Sequence, residues 1–145
     1  MGTRVEVGPD WIACDGSGCS LHGGDLNLND IPDAAMTVSV LALFADSPSK
    51  ISGIASWRVK ETDRIAAISA ELQKFGARVT TDMDSITIVP PEKLVPATVE
   101  TYNDHRMAMC FSLVSLGGVA VKIMDPACVN KTYPHFFEDF TRLAK

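Results

Sequence analysis

Basic residues, cysteine and aromatics are all scarce in this chain. Thirteen Lys and Arg against eighteen Asp and Glu leave its 145 residues at a net charge of −5. The overall balance therefore attracts neither nucleic acid nor an anionic membrane, and an anionic ligand needs a local cluster of cations. The four cysteines (Cys14, Cys19, Cys110, Cys128) form no CxxC pair, and His22, His105 and His135 stand in no ligand spacing with them. That argues against a structural metal and for reduced thiols. No apolar run reaches the roughly 20 residues of a membrane span, and Met1-Gly2-Thr3-Arg4-Val5 lacks the apolar stretch of a secretion signal. The expectation is a soluble, cytoplasmic protein. Aromatics make up only 7% of the chain, but 46% hydrophobic and 21% charged residues lie within the globular range, and the length suits one hydrophobic core.

What the chain does have is an internal repeat. Gly2-Thr3-Arg4-Val5 through Asp10-Trp11-Ile12 aligns with Gly76-Ala77-Arg78-Val79 through Asp84-Ser85-Ile86 at an offset of 74, which also carries Asn29-Asp30 onto Asn103-Asp104. At an offset of 72, Lys50-Ile51 falls on Lys122-Ile123. One unit reads as an acid-capped helix from Asp30-Ile31-Pro32 to about Ala45, a strand around residues 50–54, and a helix from about Arg58 to Phe75. Ser56 or a neighbour caps that second helix and Gly76 stops it. The strands Arg78 to Thr81 and Ser85 to Val89 follow, joined by the turn Asp82-Met83-Asp84. The next copy has a strand around residues 98–102, a helix from Asp104 to about Leu116, a Gly117-Gly118 stop, a strand from Val119 to Met124 and a helix from about Tyr133 onward. This predicts an α/β (α+β) chain of β-α-β-α-β-β units: a strand pair in 1–20 that ends a preceding unit, a full unit in 25–90 and an incomplete last unit in 95–145. About two units are present, so the array looks cut at both ends, and such units need neighbours to bury their faces.

Charges interrupt the apolar stripes. Ile65, Ile68, Leu72 and Phe75 mark the buried face of the second helix, and at 100° per residue Glu61 and Arg64 continue it one turn earlier. Asp33 lies in line with Met36 and Val40, and Arg106 with Met109, Cys110 and Leu113. Three helices thus turn a charged residue inward near their first turns, where backbone N–H groups are unpaired. Helix N-termini and arginine forks suit phosphate and carboxylate. Structural ion pairing explains the pattern equally well.

The strings Trp57-Arg58-Val59-Lys60-Glu61-Thr62-Asp63-Arg64, Asn103-Asp104-His105-Arg106-Met107-Ala108-Met109, Ile31-Pro32-Asp33-Ala34-Ala35-Met36 and Lys131-Thr132-Tyr133-Pro134 stand out along the chain. Together they closely resemble the signature segments of the 5-enolpyruvylshikimate-3-phosphate (EPSP) synthases, along essentially the whole chain. The resemblance implies the inside-out α/β barrel of enolpyruvyl transferases, two domains of three such units each, with this chain in the C-terminal part. It implies transfer of the enolpyruvyl group of phosphoenolpyruvate to the 5-hydroxyl of shikimate 3-phosphate, in the shikimate pathway of aromatic amino-acid synthesis. No metal or organic cofactor is expected, and glyphosate competes with phosphoenolpyruvate.

By the same resemblance, Asp33 contacts the shikimate hydroxyls and accepts the proton of the attacking hydroxyl. Glu61 exchanges a proton with the methylene carbon of phosphoenolpyruvate, and Lys60 contacts shikimate 3-phosphate and shares in proton transfer. Arg64 and Arg106 hold the phosphoenolpyruvate carboxylate, and Lys131 holds its phosphate. Ser56 stands where many bacterial members have asparagine, and its hydroxyl can serve the sugar side. The residues outside these roles read as structural: His105 as a hydrogen-bonding group, Trp57 as packing at a strand–helix junction, Arg58 as a salt-bridge partner, and Phe136, Phe137 and Phe140 as a core stripe. The remaining substrate contacts belong to the rest of a longer synthase chain, so this chain alone is expected to be inactive. The alternative is a stand-alone anion-binding or regulatory module that kept this half-site.

Overall fold

Two strands joined by a short turn come first: β1 (Arg4–Val7) and β2 (Ile12–Asp15) pair antiparallel and are exposed along their whole length. The computed structural model describes residues 1–144. After β3 (Asp25–Asn27) comes α1 (Pro32–Leu41), which tightens into a 3₁₀ turn (Ala42–Phe44) before β4 (Ser49–Ser52). A 3₁₀ turn (Ala55–Val59) leads into α2 (Arg64–Lys74), then β5 (Arg78–Thr81) and β6 (Ser85–Val89). The pattern restarts with β7 (Ala97–Val99), α3 (His105–Ser112), a 3₁₀ turn (Leu113–Gly117) and β8 (Val121–Ile123). A last 3₁₀ turn (Pro126–Lys131) precedes α4 (Phe136–Leu143).

The sequence repeat is thus a repeat of architecture. β3 pairs parallel with β4 and β7 parallel with β8, each across a helix. Both members of the second pair begin 72 residues after their counterparts, Asp25 to Ala97 and Ser49 to Val121. β1 and β5 begin 74 residues apart, at Arg4 and Arg78, and each opens an antiparallel pair. The middle sheet has the order β3-β4-β6-β5, with Ile51 opposite Ile86 and Ser49 opposite Ile88. Alternation sends Ile51, Ile86 and Ile88 to the core, all fully buried. Ile65, Ile68, Leu72 and Phe75 of the α2 stripe are likewise fully buried, and Phe75 stacks on Phe111 of α3 with ring centroids 5.9 Å apart. One core thus joins the sheet to α1, α2 and α3.

Several boundaries differ from the sequence reading. α2 begins at Arg64 rather than near Arg58: Asp63, not Ser56, is its cap, accepting from the Ala66 amide at 3.1 Å. A carboxylate oxygen next to the first helical residue is the better acceptor for an orphan N–H, and residues 55–59 wind as a tighter 3₁₀ turn instead. Glu61 therefore precedes the helix and does not continue its stripe. α1 and α3 stop as α-helix at Leu41 and Ser112, and each finishes in a 3₁₀ turn, the usual way a last turn tightens. Asp30 caps nothing: Ile31 is the N-cap of α1 and makes no side-chain bond, with Pro32 covering the first helical position. Gly76 does provide the left-handed stop, at φ +96°.

α4 is the clearest departure. Phe136, Phe137 and Phe140 pack on one another, with centroids 5.1 and 5.7 Å apart, but no residue of this helix is buried, so they are a half-exposed cluster and not a core stripe. The expected continuation of this segment to Lys145 lies outside the described residues. No helix among the described residues is long and apolar enough to cross a membrane.

Candidate active site

Two helix caps set the charged centre in place. Asp63 caps α2 and makes Arg64 the first helical residue, while Asp104 caps α3 by accepting from the Arg106 amide at 2.9 Å. Because the two helix starts converge, the Asp104 carboxylate also accepts from Arg64 Nε at 2.7 Å and Nη2 at 3.3 Å. Arg64 is 1% exposed and Asp104 0%. A bidentate, desolvated pair of this kind is both strong and geometrically fixed.

The rest of the guanidinium is shared. Arg64 Nη1 donates to Asp33 at 3.0 Å, from the first turn of α1, and Nη2 donates to Glu61 at 2.8 Å, from the bend before α2. Asp33 in turn meets Arg106 Nη2 at 3.0 Å and lies 3.8 Å from Lys60 Nζ. Glu61 accepts from Lys131 Nζ at 2.8 Å, which reaches in from the last 3₁₀ turn. Trp57 locks two of these segments together: it is fully buried and its Nε1 donates to the Pro32 carbonyl at 2.8 Å. Four cations, Lys60, Arg64, Arg106 and Lys131, thus meet three carboxylates, Asp33, Glu61 and Asp104, which leaves the cluster one positive charge in excess.

The cluster opens onto a cleft of about 560 Å³ whose wall includes Pro32, Asp33, Thr37, Lys60 and Arg106. A separate groove of about 360 Å³, lined by Val40, Leu41, Phe44, Leu113 and Leu116, holds no charged group and offers no anion chemistry.

The charges act on one another. The hydrogen bond from Lys131, with a backbone hydrogen bond and the charges of Arg64 and Lys131, outweighs burial and holds the Glu61 carboxyl down at about 2. Burial works against the charge on Arg64, but Asp104, Glu61 and Asp33 overcome it and raise its pKa. Burial lowers the pKa of His105 despite nearby Asp104, so this ring stays neutral at neutral pH.

Six of the seven residues singled out in the sequence therefore meet: Asp33, Lys60, Glu61, Arg64, Arg106 and Lys131. Ser56 does not join them. It is exposed on its 3₁₀ turn, and its hydroxyl bonds no other member of the cluster among the described residues. Arg58 pairs with Asp63 at 2.9 Å, as the sequence suggested. Asp104 was missed as a site residue; the signal was the Asn-Asp cap directly before His-Arg, where a short acid must face the first turn of its own helix.

The family model for EPSP synthase (3-phosphoshikimate 1-carboxyvinyltransferase) matches residues 1–140. The chain is 57% identical over its whole length to the 3-phosphoshikimate 1-carboxyvinyltransferases of Paraburkholderia phytofirmans and Burkholderia vietnamiensis, and it covers 34% of each. It spans about a third of the length of these curated relatives. Among solved structures, an EPSP synthase from Acinetobacter baumannii superposes with a TM-score of 0.75 at 24% identity, over 98% of this chain and 35% of that one. The enolpyruvyl transferase NikO from Streptomyces tendae does so at 0.75 and 22%, over 99% and 33%. At these identities the structural likeness speaks for the fold, and the family match over nearly all of the sequence speaks for descent: the chain belongs to the EPSP synthase (3-phosphoshikimate 1-carboxyvinyltransferase) family.

Proposed function

We propose that this chain is part of the C-terminal domain of an EPSP synthase and supplies the phosphoenolpyruvate side of its active site. The observation that carries the reading is the cluster of four cations and three carboxylates beside an open cleft. Phosphoenolpyruvate brings a planar carboxylate and a phosphate, roughly three negative charges near neutral pH. In a chain of net charge −5, only such a local concentration of cations can hold it. Arg64 and Arg106 take the carboxylate, since the guanidinium fork matches its plane, and Lys131 takes the phosphate as a mobile point charge. Lys60 faces shikimate 3-phosphate together with Asp33, and Ser56 adds a hydroxyl on the sugar side.

The reaction is addition followed by elimination. The 5-hydroxyl oxygen bonds to C2 of phosphoenolpyruvate and gives its proton to Asp33, while the methylene carbon gains a proton from Glu61. Loss of a proton from the new methyl group back to Glu61 then expels phosphate from C2, and the proton held on Asp33 leaves with that phosphate. An acid and a base on separate carboxyls suit this step. Lys131 and Arg64 hold Glu61 ionised. The arriving substrate draws Lys131 onto itself and adds its own negative charge, which moves Glu61 toward protonation at the moment a proton is required.

The experiment is phosphate release with phosphoenolpyruvate and shikimate 3-phosphate, using this chain alone and using the longer protein that contains it. Turnover only in the longer protein supports the reading. Turnover by this chain alone removes the claim that it supplies only half a site, and tight substrate binding without turnover in either form points to an anion-binding module instead.

A further inference from the structure

Glu71 is a fully buried carboxylate outside the catalytic cluster. It sits seven residues after Arg64 on α2, two helical turns along the same face, roughly 10 Å away. Both of its oxygens are engaged. Oε1 accepts from Tyr102 Oη at 2.8 Å; Oε2 accepts from the Glu100 amide at 3.2 Å and pairs with Lys74 Nζ at 2.7 Å. Lys74 also donates to the Thr98 carbonyl at 3.1 Å. α2 therefore grips the segment that leads into α3 at two points, through Glu71 at residues 100 and 102 and through Arg64 at Asp104.

Between these two points the backbone is in an unfavourable form. Tyr102 and Asn103 are the only non-glycine residues with positive φ among the described residues, at 53° and 55°, and the Asp104 amide donates to the Thr101 carbonyl at 2.9 Å. Positive φ at both central positions with that closing bond marks a type I′ turn, whose usual occupants are Asn and Gly. A tyrosine resists this conformation, and such strain persists only where the surroundings impose it. The Glu71 carboxylate is one such restraint, accepting from Tyr102 Oη and from the Glu100 amide. The turn ends on Asp104, whose one carboxylate caps α3 and orients the Arg64 guanidinium.

We infer that Glu71 and Tyr102 are positioning residues: their half-buried hydrogen bond holds the Thr101–Asp104 turn in its left-handed form and thereby fixes Asp104, and through it Arg64, for the substrate carboxylate. The last step rests on the function proposed above. Neither residue touches the cleft, so their loss acts through the aim of Arg64 and not on the chemistry. The effect falls on KM for phosphoenolpyruvate, with kcat nearly preserved.

The test uses the full protein that contains this chain, with Tyr102→Phe as the principal variant because it removes one hydroxyl and keeps the ring. A rise of about tenfold in KM for phosphoenolpyruvate, with kcat within threefold, is expected; this is the scale of one lost hydrogen bond to a charged acceptor. In an Arg64→Lys background the same substitution should add less than twofold, since its route of action is already cut. An unchanged KM, a fall in kcat alone, or a full tenfold effect in the Arg64→Lys background overturns the proposal. Hydrogen exchange at Arg64 Nε, followed by NMR without substrate, tests the positioning independently of the reaction. Exchange at least tenfold faster in Tyr102→Phe is expected, and equal exchange overturns it even if the protein turns out to catalyse something else.

Discussion

Replacing Arg64 by methionine separates the structural duties of the charged cluster from the ligand-binding duties proposed for it. Arg64 serves three carboxylates, but their exposures differ: the Asp33 and Glu61 side chains are 43% and 25% accessible, and Asp104 is 0%. Water can replace the guanidinium at the first two at little cost. It cannot reach Asp104, which would keep only the Arg106 amide at 2.9 Å. Leaving a buried charge without its partner costs about 3–5 kcal/mol, so Arg64→Met should lower unfolding stability by that amount, read as a fall in the urea midpoint at unchanged slope. Adding Asp104→Asn removes the stranded charge and keeps an equally good N-cap, so the double variant should recover more than half of the loss. On the function proposed above, binding of phosphoenolpyruvate should in contrast be lost in both variants, because neither has the guanidinium. Two results would refute this reasoning: an Arg64→Met protein within about 1 kcal/mol of wild type, or a double variant no more stable than the single one.

Glu61 makes a pH-dependent contribution. Held by Lys131 first, its carboxyl titrates near 2 in the folded protein against an ordinary value of 4.5. A depressed carboxyl stabilises the fold above the higher value and loses that contribution as the pH falls toward the lower one. Glu61→Gln should therefore flatten the decline in stability between pH 4.5 and 2, as measured by urea unfolding at a series of pH values; an unaltered slope counts against the ion pairs. At the start of α2, Asp63→Ala should cost about 1 kcal/mol through the lost cap, with little added by the half-exposed Arg58 pair. Asp63→Asn should restore most of it, and equal losses in the two variants would mean that the cap is not the source.

The sequence was most legible where local physics decides. The strands Arg78–Thr81 and Ser85–Val89 have the bounds read from their alternation and the Asp82-Met83-Asp84 turn. The α2 stripe is buried as its spacing requires, because helical period and apolar burial are both properties of a short segment. Helix starts were read less well. Ser56 and Asp30 read as caps in the sequence, and only the packed backbone puts Asp63, and neither of them, opposite an orphan N–H. The phenylalanines of α4 show the same limit, since spacing predicts a stripe but not what covers it.

The amino-acid sequence by itself determined the repeat, the family and six of the charged residues that meet, since each of these is carried by residue type, order and spacing. Tertiary structure alone decided their partners. That Arg64 is shared by Asp33, Glu61 and Asp104, that Lys131 reaches Glu61 across 70 residues of chain, and that Glu71 grips the turn before α3 are consequences of helices α1, α2 and α3 packing on one core. A buried ion pair takes its strength from the water excluded around it and from the convergence of elements distant in sequence, and neither is a property of any one segment.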